Sequence, residues 1–326
     1  MSKNYWFDGI MGVVTGDALG DAVQFMSRER VLARGKVKGM EDGGPFNTPA
    51  GTWTDDSAMT LATLASIVDK KEIDLDDIAG NFVKWLHAGE FTPFGAAFDI
   101  GITCADAINQ YARYHDVKTC GKTGERANGN GALMRIMPAC LYYYAKQAKG
   151  EISVEEAVEG VIAIASLTHN HLRTNICNGI YYFCVKSILD NKSEAKKPLI
   201  VLLQEGINNG RMYFEKESTN LSEMSNLSRM FTLDVFKNVD EDKIASSGYV
   251  LHTIEAAIWS LINTDSLKEA LLKAVNLGDD ADTVGAVTGG LAGLYYGYNE
   301  IPNDWISVIQ RREWIEDMCK QAGDIA

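Results

Sequence analysis

Gly51-Thr52-Trp53-Thr54-Asp55-Asp56-Ser57-Ala58-Met59-Thr60-Leu61-Ala62-Thr63-Leu64-Ala65-Ser66-Ile67-Val68 is the stretch on which the fold class turns. Apolar residues fall at Met59, Leu61, Leu64, Ile67 and Val68, the spacing of one helical face, which predicts a helix over 57–68. Asp76 to Leu86 repeats that spacing, and Ser153-Val154-Glu155-Glu156 reads as a capping box opening a helix through Ile164. Ser266 and Glu269 repeat the device before Ala270, Leu271, Leu272 and Val275, with Gly278 as the terminator. Strand alternation does not recur, so the expected fold is all-α, a helix bundle. Only six prolines occur and no linker or charge block divides the chain, which favours a single domain over residues 1–326. The stretch 191–242 is more polar and carries Asn208-Asn209-Gly210, so loops between helices are expected there; no internal repeat of fixed period is found.

The composition, 46% hydrophobic over 326 residues, is that of a globular chain. A formal charge of -13 argues against nucleic-acid partners, because counterion release needs a basic face. The six cysteines show no C-x-x-C pair and no regular spacing, which reads as reduced thiols. Met1 to Phe7 lacks a basic region followed by an apolar core, and no segment reaches the roughly 18 uninterrupted apolar residues of a membrane span. A cytoplasmic monomer without membrane partners is expected.

Two acidic clusters carry the chemistry. Thr54-Asp55-Asp56 stands where the apolar periodicity begins, so N-capping and metal binding are both open readings of it. The second cluster, Asp279-Asp280-Ala281-Asp282-Thr283, opens a run of small and apolar residues from Val284 to Gly293 that looks packed. Carboxylates at such a mouth are costly to bury unless they are paired or bound to a cation. An EF-hand does not fit, since counting from Asp280 the twelfth position is Leu291, where a glutamate is needed. Carboxylates and hydroxyls without His or Cys form a hard oxygen set suited to Mg²⁺ or Mn²⁺. Two such clusters could hold a pair of ions roughly 3.5–4 Å apart.

At these residues the sequence resembles the ADP-ribosylglycohydrolase family, with landmarks in the family's order along nearly the whole chain. They run through Gly12-Val13-Val14-Thr15-Gly16-Asp17-Ala18-Leu19-Gly20, Thr54-Asp55-Asp56, Asp99-Ile100-Gly101 and Asn130-Gly131-Ala132-Leu133-Met134-Arg135. Thr168-His169, Gly248-Tyr249-Val250, the 276–285 segment, Ile301-Pro302 and Trp305 complete the series. The resemblance implies an orthogonal bundle of helices with two divalent ions, Mg²⁺ or Mn²⁺, at the base of a cleft. It implies Thr54, Asp55, Asp56, Asp280, Asp282 and Thr283 as ligands, with the ions binding distal ribose hydroxyls and helping to place water near the anomeric carbon.

Other positions take their roles from the same resemblance. Asp99, which in isolation reads as an N-cap, becomes the candidate general base or water-positioning group, and Asp282 joins it as catalytic. Gln24 departs from the family, where a glutamate is common; an amide cannot act as a base, yet it can still hydrogen-bond ribose. Gly129, Asn130 and Gly131 are expected to bring backbone N–H groups to a diphosphate, with a simple turn as the alternative. His169, Gly248 and Tyr249 are candidate ligand contacts, against helix capping for the histidine and core packing for the tyrosine. Arg135 reads equally as an ion-pair former or a phosphate contact, and Trp53, Trp259, Trp305 and Trp314 are assigned to packing.

The expected activity is hydrolysis of ADP-ribose from an ADP-ribosylated protein or small conjugate, with an N-glycosidic bond to arginine favoured over an O-glycosidic one. A non-catalytic ADP-ribose-binding or crystallin-like member of the family is the alternative, and Gln24 is its main support. A hydrolase acting on a free nucleotide derivative such as ADP-ribosylated guanidine would share the pocket and differ at its rim.

Overall fold

The computed structural model describes residues 4–191 and 197–325. Residues 1–3 and 192–196, within the readings of Met1–Phe7 and of 191–242, lie outside the described residues. The helices in chain order are α1 Tyr5–Gly20, α2 Arg28–Arg34, α3 Asp55–Lys70, α4 Leu75–Ala88, α5 Ile102–Tyr114, α6 Met137–Ala148, α7 Val154–Ala165 and α8 Leu172–Asp190. They continue as α9 Leu199–Phe214, α10 Leu221–Ser225, α11 Leu233–Phe236, α12 Val250–Ile262, α13 Leu267–Val275, α14 Ala281–Tyr296, α15 Asn303–Ile306 and α16 Arg312–Gly323. Among the described residues there is no strand, only isolated bridges that tie loops together, such as Lys122 with His169 and Gly129 with Tyr249. The fold is an all-α bundle. No helix among the described residues is long and apolar enough to cross a membrane.

The axis of the bundle is the pair α1 and α14. Gly12, Gly16 and Gly20 stand four apart on one helix, and Gly285, Gly289 and Gly293 four apart on the other. Residues at that spacing form one ridge of a helix, so both ridges here are bare backbone. A Cβ added to Gly12 would meet the Gly289 carbonyl oxygen at 2.1 Å, and one at Gly16 that of Gly285 at 2.0 Å. The pairing runs from Gly293 beside Asp8 to Gly20 beside Asp282, so the helices are antiparallel and the end of α1 meets the start of α14. Helices α3, α6, α8, α12, α13 and α16 pack around this pair. The resulting core is continuous from Trp6 to Ala322.

Side-chain caps open α1, α4, α7, α8 and α13. Ser153 and Glu156 make both bonds of the capping box. At α13 half of that device forms: the Ser266 hydroxyl accepts from Glu269 N, whereas the Glu269 carboxylate turns to Asp265 N. The helix stops at Val275, and Gly278 follows with φ +77°.

The expected turn at Asn208-Asn209-Gly210 is instead the interior of α9. Tertiary packing overrides the local preference there. A Cβ on Gly206 would lie 2.7 Å from Cys184 Cα, and one on Gly210 would lie 3.0 Å from Ile180 Cγ1, so the glycines let α9 close on α8. The segment after α9 is a series of short helical turns with α10 and α11. All six cysteines are buried and none is bonded to another. Trp53, Trp259 and Trp305 are buried in the core, and Trp314 is half-buried beneath the Arg311 guanidinium.

Gly12→Ala is expected to cost about 3 kcal/mol or more, because the added carbon has no room beside a carbonyl. Gly80→Ala, in α4 with nothing within 4 Å of the new carbon, should be neutral or stabilise by up to about 1 kcal/mol. Urea unfolding of both variants checks the contrast; equal stabilities would refute the close-packed seam.

Candidate metal and substrate site

Three helix ends meet at one end of the seam: the last turn of α1 and the first turns of α3 and α14. Asp17 of α1 makes the junction. Its carboxylate accepts from Thr54 N at 3.0 Å, Thr54 Oγ1 at 2.9 Å, Ser57 N at 2.9 Å and Ser57 Oγ at 2.5 Å. Two of the amides at the start of α3, those of Thr54 and Ser57, are therefore satisfied by a neighbouring helix. Thr54 occupies the N-cap position of α3 but its side chain makes no capping bond. That frees its hydroxyl oxygen to face the carboxylates.

Carboxylate oxygens of Asp17, Asp56 and Asp282 lie within 4.8 Å of one another, all buried. Thr54 Oγ1 stands 2.9 Å from Asp17, 3.2 Å from Asp56 Oδ2 and 3.3 Å from Asp282 Oδ2. A hydroxyl has one hydrogen, and Asp17 is nearest to it. The other two contacts then oppose lone pair to lone pair. Thr283 Oγ1 adds another oxygen, 3.4 Å from Asp56 Oδ2. Asp56 Oδ1 and Asp282 Oδ1 are buried with no hydrogen-bond partner. Buried anionic oxygens of that kind are costly without a proton or a cation. The chemistry of the donor set, oxygen throughout, fits a hard divalent ion. Asp17 belongs to the cluster by distance, yet its lone pairs are taken by Thr54 and Ser57, which makes it the support behind the donors.

The carboxyls behave accordingly. Burial, followed by mutual repulsion, holds Asp55, Asp56 and Asp282 well above the usual carboxylate range. Burial raises Asp17 to about 7 against the hydrogen bonds from Ser57 and Thr54, and Asp280 to about 6 against that from Asn130. Asp99 is also raised by burial.

Asp99 lies in the loop before α5 with φ +54°, and Gly101 takes the N-cap that Asp99 was a candidate for. Such a backbone is strained for a non-glycine residue. The Gln24 side chain spans the gap between two acids, its Nε2 donating to Asp99 Oδ2 and, at 2.7 Å, to Asp282 Oδ2. A glutamate there would add a further charge; the amide supplies two hydrogens. Next to it, Phe25 and Asp279 both have positive φ and are tied by Phe25 N to Asp279 O and Asp279 N to Met26 O, each 2.6 Å.

Above the carboxylates opens a cavity of about 350 Å³, lined by Gln24, Asp55, Asp99, Asp280, Asp282 and Thr283 on one side and by Gly129, Asn130, Gly131, His169 and Gly248 on another. Asn130 Nδ2 donates to Thr253 Oγ1 at 2.9 Å and to Asp280 Oδ2 at 2.5 Å, so this side chain orients the carboxylate. Its backbone N–H donates to Gly248 O at 3.0 Å. That amide is thus not available for the anion nest expected at 129–131. Gly129 and Gly131 abut the His169 ring; a Cβ on Gly131 would meet it at 2.9 Å. His169 is 2% exposed and, by burial and then the nearby Arg135 charge, is pushed down to about 3, hence neutral. The Tyr249 hydroxyl accepts from Arg173 Nη1 at 3.0 Å and its ring packs edge-on against His252. Arg135 is no phosphate contact: it is fully buried and, among the described residues, unpaired with any carboxylate. Glu125 sits at the surface with Arg173 and His171.

The family model described as ADP-ribosylglycohydrolase matches residues 7–326. The chain belongs to the ADP-ribosylglycohydrolase family. It is 30% identical over 320 residues to the ADP-ribosylarginine hydrolase Tri1 of Serratia proteamaculans, covering 96% of this chain and 77% of that one. It is also 30% identical over 303 residues to the ADP-ribosyl-[dinitrogen reductase] glycohydrolase of Rhodospirillum rubrum, covering 93% and 89%. Among solved structures, the chain of an ADP-ribosylglycohydrolase-related protein complex aligns with a TM-score of 0.78 at 25% identity, over 100% of this chain and 99% of that one.

Within this family member, the structure brings together all six expected oxygen donors with Asp99 and Gln24. Sequence reasoning missed Asp17 as a working residue. The available signal was a single carboxylate inside the otherwise small and apolar Gly12–Gly20 run, which a buried helix keeps only where it has partners.

Each raised carboxyl binds its proton more tightly in the folded chain than in the unfolded one. The stability so gained is complete below about pH 4, the unfolded carboxyl range, and is lost as pH rises through about 6 for Asp280 and about 7 for Asp17. The increment in Tm given by millimolar Mn²⁺ over chelator should therefore grow from pH 4.5 to pH 7.5. Asp282→Asn should raise the chelator Tm at pH 7.5 while shrinking the increment. Scanning calorimetry reads both, and a pH-independent increment of zero would refute a cation site.

Proposed function

We propose that this protein is a metal-dependent hydrolase that releases ADP-ribose from an ADP-ribosylated protein or small conjugate, its single domain spanning residues 1–326. The supporting observation is the convergence of Thr54, Asp55, Asp56, Asp280, Asp282 and Thr283 beneath one cavity, with orphaned oxygens on Asp56 and Asp282. These six residues would hold two divalent ions, Mg²⁺ or Mn²⁺. When bound, such ions supply Lewis acidity toward the ribose hydroxyls and the attacking water.

The chain's own groups do the rest. Asp99, half-buried and raised in pKa, is placed to take and return a proton at the cavity floor. Gln24 holds Asp99 and Asp282 in register and spares the floor another charge. Asn130 fixes Asp280. Gly129 and Gly131 let the His169 ring close against them, and these residues with Gly248 line the cavity where a diphosphate would lie. Tyr249, expected as a ligand contact and engaged instead by Arg173, lies outside the residues that line the cavity. An arginine N-glycosidic bond is the favoured substrate, because the similar Tri1 protein is named for ADP-ribosylarginine hydrolysis.

Incubation with ADP-ribosyl-arginine and ADP-ribosyl-serine in Mg²⁺, Mn²⁺ and chelator should give metal-dependent ADP-ribose release, faster from arginine. Asp99→Asn should lower kcat by roughly 10²–10⁴-fold with ADP-ribose affinity retained. Asp282→Ala should abolish turnover in a folded protein, and undiminished activity would refute the site. Tight ADP-ribose binding without turnover of either conjugate would assign the chain to the non-catalytic members instead.

A further inference from the structure

Arg135 has no part in the mechanism above, although an unpaired buried guanidinium is among the costlier things a core can hold. It lies over the Phe82 ring at 4.6 Å, with its donors on Ile164 O at 3.3 Å and 3.4 Å and on Thr168 Oγ1 at 2.7 Å. Thr168 Oγ1 is in turn 2.9 Å from His169 Nδ1. The other ring nitrogen, Nε2, points at Gly129, where an added Cβ would stand 3.2 Å away, and the ring lines the cavity. We propose that Arg135 and Thr168 are positioning residues that lock His169 into the neutral tautomer protonated on Nε2, so that the cavity wall presents one N–H donor to a ligand oxygen.

Two independent arguments lead there. The first is hydrogen count. Arg135 can only donate, so Thr168 Oγ1 accepts from it and has one hydrogen to place. Nδ1 is the strong acceptor within reach, the alternative being the weakly accepting Cys104 sulfur. An Nδ1–H tautomer would make the hydroxyl accept twice and leave its own hydrogen on that sulfur. The second is electrostatic. The positive guanidinium favours the imidazole lone pair on its side of the ring and the N–H on the opposite side, toward the carboxylate-lined cavity. The donor's direction is then set before any ligand arrives, which lowers the ordering cost of binding.

The tautomer itself follows from the bonds around Thr168 Oγ1; its use for a ligand oxygen rests on the reading of the cavity as an ADP-ribose site. Long-range ¹H–¹⁵N spectra of histidine-labelled protein test the tautomer, with His169 assigned by the signals lost in His169→Gln. The wild-type spectrum should give a pyrrole-type Nε2 and a pyridine-type Nδ1. Thr168→Val, checked for an unchanged circular dichroism spectrum, should mix the tautomers and weaken ADP-ribose binding in Mg²⁺ roughly five- to thirtyfold. Thr168→Ser should restore both. An Nδ1–H signal in the wild type, or a tautomer unmoved by Thr168→Val, overturns the proposal. If the wild type binds no ADP-ribose, the functional reading falls while the spectra still decide the tautomer.

Discussion

Everything at the functional end of this molecule depends on two helices touching backbone to backbone. Where α1 and α14 meet through glycines, their separation is fixed by atoms that cannot adopt another rotamer. The seam ends at Gly20 against Asp282, so the position of that carboxylate is a property of the helix pair. Asp17, on the same last turn of α1, then anchors α3 through Thr54 and Ser57. Helix packing sets the spacing of Asp17, Asp56 and Asp282, while Asp99 is carried by the loop before α5.

Bringing so many acids together opposes folding. Several carboxyls are buried, and burial with mutual repulsion raises their hold on protons. The partial answers built into the chain are all donors: Gln24 between Asp99 and Asp282, Asn130 on Asp280, and the two helix N-termini whose dipoles favour negative charge. None of them reaches Asp56 Oδ1 or Asp282 Oδ1. Those two buried oxygens are left without a donor, a cost that a proton or a cation would relieve.

Much of this was legible in the sequence. The periodicity over 57–68 lies within α3, and the Ser153 capping box forms with both of its bonds. The two acidic clusters stood out because charge at the mouth of an apolar helix demands a partner. What stayed hidden was long-range. Asp17 reads as part of a glycine-rich helix, and its bonds to Thr54 and Ser57 arise only when α1 and α3 are packed. Asn208-Asn209-Gly210 has the composition of a turn, yet contact with α8 keeps it helical. The Asn130 amide looked free for an anion because its acceptor, Gly248 O, comes from a segment over a hundred positions away.

The paired bonds joining Phe25 and Met26 to Asp279 make the segment carrying Gln24 and the segment carrying Asp280 one mechanical unit. Both partners hold left-handed backbones, so neither can relax by a small torsional change. A displacement at Asp280 is therefore transmitted as a push on the Gln24 amide, and through it on Asp99. Gln24, Asp99 and Asp280 are thereby tied through one stiff strut.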